Sequence, residues 1–416
     1  MPRALVVLPQ LPQDPSSGAA RSVNTAAEFL AAAAGWSVRT LATVTTESGA
    51  AFDPATHLKQ LGIEPRREGK TWRFERRGIA CTLLDTGRCT LADWEQSHGQ
   101  DFDRLFDAEL AEFRPDVIYT YGGMPAERRR HERARARGCK IVFAVCNHSY
   151  YVHDFFDGFD AVTTPSEYHA AGYRRSVGLE STPLASPLEL EDVIAPDRTP
   201  IFFTIINPSI EKGLFFIARL AEELGTRRPD LPLLAIEARG TGGMLVQAWL
   251  AGGFDLRRHG NIMFSPAVPR PRDIFVATRA LLVPSVWEEP SGRVAAEALV
   301  NGVPPIASDR GGLPENCRGA GFVLPLPAEL TMQTRVPVAP AAVQPWLSVI
   351  ERLADDADFY ETASRRAREA GRYYHPEMLA PRYVEFFERV LTADSSRSRK
   401  VEISADTFKT SPAARR

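Results

Sequence analysis

The stretch Val283-Pro284-Ser285-Val286-Trp287-Glu288-Glu289-Pro290-Ser291-Gly292-Arg293-Val294-Ala295-Ala296-Glu297-Ala298-Leu299-Val300-Asn301-Gly302 reads as strand, loop and helix in immediate succession. An uncharged apolar run, Ala280 to Pro284, suits a buried strand. An acidic loop follows, then a small-residue turn at Ser291-Gly292. A helix from about Arg293 to Asn301 comes next, and Gly302 stops it. A second apolar strand, Val303 to Ala307, leads into another glycine loop, Asp309-Arg310-Gly311-Gly312. Two strands thus deliver two glycine-containing loops, each opening a helix. Free N–H groups at a helix start, with no Cβ in the way, bind phosphate well. Glu289 lies just before the first such start and Glu297 two turns into its helix. A nucleotide-diphosphate sugar would use both features: the N–H groups for its diphosphate, and carboxylates for hydroxyl pairs, Glu297 on a ribose and Glu289 on a sugar. Glycines at strand-to-helix turns are common, so the spacing also fits a plain structural unit with two solvated carboxylates.

Pro284-Ser285, Glu289-Pro290-Ser291-Gly292, Glu297-Ala298, Gly302-x-Pro304 and Ala307-Ser308-Asp309-x-Gly311-Gly312-x-x-Glu315 together resemble the Glu-x7-Glu signature of retaining family 4 glycosyltransferases (glycosyl transferases group 1). The resemblance implies an α/β fold of the GT-B type, two facing Rossmann-like domains with a cleft between them. It implies transfer of a sugar from a nucleotide-diphosphate sugar to an acceptor hydroxyl with retained anomeric configuration. No cofactor and no metal are implied, the nucleotide-sugar being a co-substrate. Glu289 would hold the donor sugar and Glu297 the ribose, with Ser291, Gly292, Arg293, Gly311 and Gly312 around the diphosphate.

Composition frames this reading. The chain has 416 residues, 44% hydrophobic and 25% charged, with net charge −2. That suits a soluble globular protein of two to three domains and gives no reason to expect a nucleic-acid partner. Five scattered cysteines without a Cys-x-x-Cys argue for reduced thiols. The N-terminus opens directly on a strand, with no signal-peptide pattern and no membrane-length apolar run. The expectation is a cytoplasmic protein, with room for peripheral contact at the inner face of the membrane.

Working outward, Ala4 to Leu8, the helix Ala19 to Ala34 and Val38 to Val44 make one βαβ unit. Its loop Pro9 to Gly18 ends in Ser17-Gly18, resembling the family's N-terminal glycine loop, so Gly18 would face the donor. Trp72 to Leu84 alternates as a hairpin around Arg77-Gly78. The arginine-rich helix Ala126 to Arg137 suits a solvated face, with anionic-lipid docking as the sharper alternative. His148 follows the strand Ile141 to Val145, where open α/β sheets bind ligands. The resemblance puts it near the transferred sugar. Pro183 to Thr199 reads as the interdomain linker.

A second alternation starts at Ile201. Lys212, just before a helix, is placed to neutralise a phosphate. Asn207 stands where the family shows an arginine, so one cation is missing, and Arg293 or Arg310 is the candidate substitute. The segment Ser265 to Val268 would lie along the nucleotide base. Asp101-x-Asp103 and Asp356-x-Asp358 look like metal-binding pairs but fall on polar helix faces.

The expected boundaries are 1–185 for the acceptor domain, with a crossover helix 376–391 returning to it, 196–375 for the donor domain, and 393–416 as a disordered tail. The acceptor stays open among glycan, lipid-linked, protein and small-molecule hydroxyls. Two other functions fit the same residues: a nucleotide-sugar 2-epimerase of this architecture, and a non-catalytic nucleotide-sugar or glycan-binding protein.

Overall fold

The computed structural model describes residues 1–14, 16–46, 53–255 and 258–393, so the expected tail lies outside the described residues apart from Ala393. Two α/β units appear, each around its own sheet. In chain order the first contains β1 (Arg3–Val7), α1 (Gly18–Ala34), β2 (Ser37–Thr43), α2 (Pro54–Gln60), β3 (Arg66–Glu68), β4 (Thr71–Arg76), β5 (Ile79–Leu84), α3 (Trp94–Glu112), β6 (Val117–Thr120), α4 (Pro125–Arg135), β7 (Lys140–Ala144), β8 (Ala161–Thr164), α5 (Glu167–Val177) and β9 (Thr182–Pro183). A short α6 (Leu190–Val193) precedes the second unit. That unit contains β10 (Phe202–Ile206), α7 (Leu214–Arg227), β11 (Leu233–Ile236), α8 (Gly242–Ala251), β12 (Ile262–Ser265), α9 (Pro271–Phe275), β13 (Thr278–Val283), α10 (Arg293–Val300), β14 (Pro305–Ser308), α11 (Leu313–Asn316) and β15 (Phe322–Leu324). Three helices complete the described chain: α12 (Pro340–Asp355), α13 (Ala357–Gly371) and α14 (Pro376–Thr392).

The first sheet runs β3-β4-β5-β2-β1-β6-β7-β8-β9, parallel except at the β3-β4-β5 hairpins; the second runs β12-β11-β10-β13-β14-β15, all parallel. This is the expected GT-B type α/β architecture. In each sheet one strand sits where the order reverses. β1 lies between β2 and β6, and β10 lies between β11 and β13. Loops leaving the carboxyl ends on either side of such a point splay apart and leave a crevice. The reversal at β10 sends out the Lys212 loop after β10 and the Glu289 loop after β13.

Local chemistry fixes the key helices. Ser17 caps α1 by accepting the Ala20 N–H, and Gly35 ends it in the left-handed conformation. The Arg77-Gly78 turn has positive φ at both residues, as a two-residue hairpin requires. α14 packs back on α1 and β6: Tyr383 meets Phe29, and Phe387 meets Trp36 and Tyr119 edge-on. Its apolar cluster continues into Ala296, Leu299 and Val300 of α10, joining the two units through one core.

The arginine-rich run follows expectation for Arg128, Arg129, Arg135 and Arg137, which are exposed. Arg130 departs from it: it is buried and paired with Glu95 and Asp103, and half-buried Arg133 pairs with Asp103 and Asp107. These two arginines cross-link α4 to α3. The same contacts use up Asp103, while Asp101 pairs with Lys70 and Arg104. The linker is also less free than its prolines suggest, since Leu188, Glu189 and Val193 are buried.

Candidate active site

Lys212 and Glu289 meet. The Lys212 ammonium donates to Glu289 Oε1, which also accepts the Ser285 hydroxyl at 2.7 Å. The backbone makes this pairing possible. Val286 N–H and Trp287 N–H both donate to the Glu211 carbonyl, at 3.0 and 3.2 Å, tying the two loops together beneath the side chains. Gly213 (φ +83°) and Gly311 (φ +64°) seal the arrangement: a Cβ at the first would collide with Pro284 O, and at the second with the Glu289 backbone. Glu289 is 5% exposed, so its charge is held by a partner, as a buried carboxylate requires.

The other domain reaches the same loop. His148 Nε2 donates to the Glu288 carbonyl at 2.7 Å, across the cleft, and its ring lies edge-on to Trp287. Tyr168 donates its hydroxyl to Glu288 Oε2, which also accepts Gly311 N–H at 2.9 Å. Ser166 donates to the Pro290 carbonyl. Glu315 accepts the first two N–H groups of α5, Glu167 and Tyr168, at 3.0 and 3.1 Å. Buried beside His148, His169 is pushed down to about 3 by desolvation and by its neighbour, and stays neutral at any physiological pH.

The second glutamate sits differently. Glu297 Oε1 accepts Arg293 Nε at 2.9 Å, and the Arg293 guanidinium continues to Ser22 Oγ at 2.9 Å and Pro187 O at 2.7 Å. Gly18, the first residue of α1, packs beside the Arg293 side chain. The two helix starts, α1 and α10, therefore face each other over a single arginine. Behind it Arg21 pairs with Glu189 at 2.9 Å. Burial pushes the Glu189 carboxyl up, but Arg21, Arg76 and Arg293 outweigh it and hold it at about 2. Ser291 is anchored from below by Asn316, which in turn accepts from the Tyr374 hydroxyl.

Of the two candidate substitutes for the missing arginine, Arg293 engages Glu297 and the first domain through Nε and Nη1, leaving its buried Nη2 without a hydrogen-bond partner among the described residues, and Arg310 leans on Asp309 at 3.8 Å and Pro327 O at 3.4 Å. Asn207, with φ +60°, turns its side-chain oxygen to Gly240 N–H and pins the Lys212 loop to the next one. Gly312 packs under Pro290 O, and Val268 lies half-buried in the loop after β12. Sequence reasoning missed Tyr168, Glu288, Ser166 and Arg21. Glu288 sits beside Glu289 in the acidic loop and Ser166 caps α5, but nothing local marks their partners in the other domain. Glu315 and Ser285 stand inside the quoted signature without an assigned role. Among the described residues no group of three or more His, Cys, Asp or Glu could hold a metal ion. Among the same residues no helix is long and apolar enough to cross a membrane.

Residues 255–368 match the family described as Glycosyl transferases group 1. No curated protein sequence matches the chain. Solved structures are similar over nearly its whole length. A glycosyltransferase from Rickettsia africae has a TM-score of 0.64 at 12% identity, covering 94% of this chain and 100% of that one. HepE of Anabaena, in complex with UDP-glucose, gives 0.63 at 13%, covering 92% and 99%. The catalytic domain of starch synthase IV from Arabidopsis thaliana, bound to ADP and acarbose, gives 0.63 at 11%, covering 92% and 99%. The chain thus has the GT-B fold of these glycosyltransferases, and the match of residues 255–368 to glycosyl transferases group 1 supports glycosyl transfer from a nucleotide-sugar.

Proposed function

We propose that the protein transfers a sugar from a nucleotide-diphosphate sugar to an acceptor hydroxyl, keeping the anomeric configuration and needing no metal. The observation that carries this is the Lys212–Glu289 pair, delivered by the two loops that flank the sheet reversal and roofed by His148 from the opposite domain. The diphosphate would lie against the N–H groups at Ser291 and Gly292. The bond from the anomeric carbon to the diphosphate breaks, and the nucleoside diphosphate leaves with the electron pair. Lys212 and the α10 start offset its charge. The acceptor oxygen bonds to the same face of the sugar, and its proton passes to the departing phosphate oxygen. Glu289 and His148 would orient the sugar, and Glu297 would take the ribose hydroxyls. The acceptor reaches this point past the first domain's loops, and cytoplasmic action with peripheral membrane contact belongs to the same proposal.

The test is thermal stabilisation by UDP, GDP, ADP, dTDP and CMP without added metal, for wild type and Glu297→Ala. One diphosphate at about a hundredfold excess over its Kd should add about 2.7 kcal/mol, and the variant should lose most of it. Turnover of that donor's sugar, followed by NMR of the product's anomeric proton, then reads the stereochemistry. Stabilisation by none of the five nucleotides, or turnover unchanged in Glu289→Ala, would overturn the proposal.

A further inference from the structure

The amino-terminal edge of the first sheet lies opposite the edge that faces the cleft. It carries a cavity of about 880 Å³ lined by Arg3, Arg114, Asp116, Arg137 and Lys140 over an apolar floor that includes Leu110. Three neighbouring chain segments set its back wall. Asp116 N–H donates to the Arg3 carbonyl at 2.8 Å, and Lys140 N–H to the Asp116 carbonyl at 2.9 Å. Arg3 and Lys140 thus begin strands two places apart, with backbones about 10 Å from each other. The side wall is the end of α3. Arg137 donates to the Asp107 carbonyl at 3.5 Å and Arg114 to the Ala111 carbonyl at 3.3 Å. Those carbonyls are one helical turn apart, about 6 Å, so the two guanidinium groups hang one above the other.

The charges there do not balance. Asp116 pairs with Arg3 at 3.6 Å, and Asp160 with Lys140 at 3.3 Å. Glu109 is taken by Arg39 and Asp107 by Arg133. Arg114 and Arg137, both exposed, have no carboxylate partner among the described residues. Two uncompensated forks at stacked positions, with two further cations on the back wall, form a concave site for an anion with several oxygens. A guanidinium fork matches phosphate oxygens two at a time. We infer that this cavity is a second anion site, remote from the cleft, that binds a phosphate-bearing group. That group is either a small soluble phosphate compound or a phospholipid headgroup.

Pyrophosphate is the soluble probe. Because it also suits the candidate active site, titration calorimetry compares wild type, Lys212→Ala and the Arg114→Ser/Arg137→Ser double variant. The expected result is a binding event kept in Lys212→Ala and weakened at least about tenfold in the double variant, with the difference shrinking as salt is raised. Co-sedimentation with vesicles of equal parts phosphatidic acid and phosphatidylcholine separates the sources. Vesicle binding lost in the double variant assigns a headgroup, and pyrophosphate binding without vesicle binding assigns a soluble ligand. An Arg114→Lys/Arg137→Lys variant, which keeps the charge and removes the forks, should bind with intermediate strength and stands in if the serine variant does not fold. Equal binding of both probes by wild type and double variant, or no pyrophosphate event left in Lys212→Ala together with no vesicle binding, overturns the inference.

Discussion

His148 Nε2 faces the Glu288 carbonyl and His169 Nε2 faces the Asn147 carbonyl. A carbonyl only accepts, so both nitrogens carry their protons. In neutral His148 the other nitrogen then accepts from the Tyr151 hydroxyl, 2.8 Å away. The imidazole's orientation is therefore set from both sides before any ligand arrives. Glu127, at the start of α4, is governed by burial instead. Desolvation pushes its carboxyl up to about 7, although it accepts the Met124 N–H at 2.8 Å. Between the unfolded value and about 7 the folded chain keeps a proton that the unfolded chain has lost, so stability falls as pH rises through that window. The total is about 3 kcal/mol from a shift of that size. Glu127→Gln removes this dependence, so urea denaturation at several pH values should show the variant gaining on wild type from about pH 5 to about pH 7 and holding the gain above it.

Among the elements, the glycine loops after β13 and β14 act as a pair. Gly311 stacks its backbone directly on that of Glu289, and Gly312 N–H donates to the Glu289 carbonyl at 2.7 Å. Gly311→Ala would force a Cβ into that backbone at positive φ. It should lower stability by more than about 1 kcal/mol and depress donor turnover further, because the Glu289 loop must shift; melting curves and initial rates check both. These loops were legible in the sequence because the glycines, the glutamates and the flanking apolar runs all fall within one local stretch. The alternating strand and helix periods likewise announced two parallel-sheet units. Other features were not legible. Glu288 and its partner His148 are 140 residues apart, and Glu315 and Glu167 are 148 apart. No local pattern encodes such contacts. β3, three charged residues long, gives no alternation to read. The buried role of Arg130 was masked by the arginines around it, whose spacing looks the same whether or not one points inward.

At the scale of the molecule, α14 packs into an apolar cluster shared by both units, which should make them unfold together. Phe387 is fully buried between Trp36 and Tyr119, in the cluster that also takes in Leu299 of α10. Phe387→Ala should cost about 3–5 kcal/mol and split a single calorimetric transition into two, the first unit melting earlier. A single transition that merely shifts would show that the contacts around Arg293 and Glu315 couple the units on their own. One further consequence lies at the rims of the nine-stranded sheet. Its outermost strand on one side is Arg66–Glu68, fully exposed and charged at every position, and on the other Thr182–Pro183, whose proline has no N–H to offer. A long parallel sheet with open rims would recruit rims from its neighbours. Here one rim repels an incoming strand and the other has no donor for it. Strand-to-strand association through this sheet is therefore disfavoured, and recruitment at either of its rims would require one of these two terminal strands to be lost first.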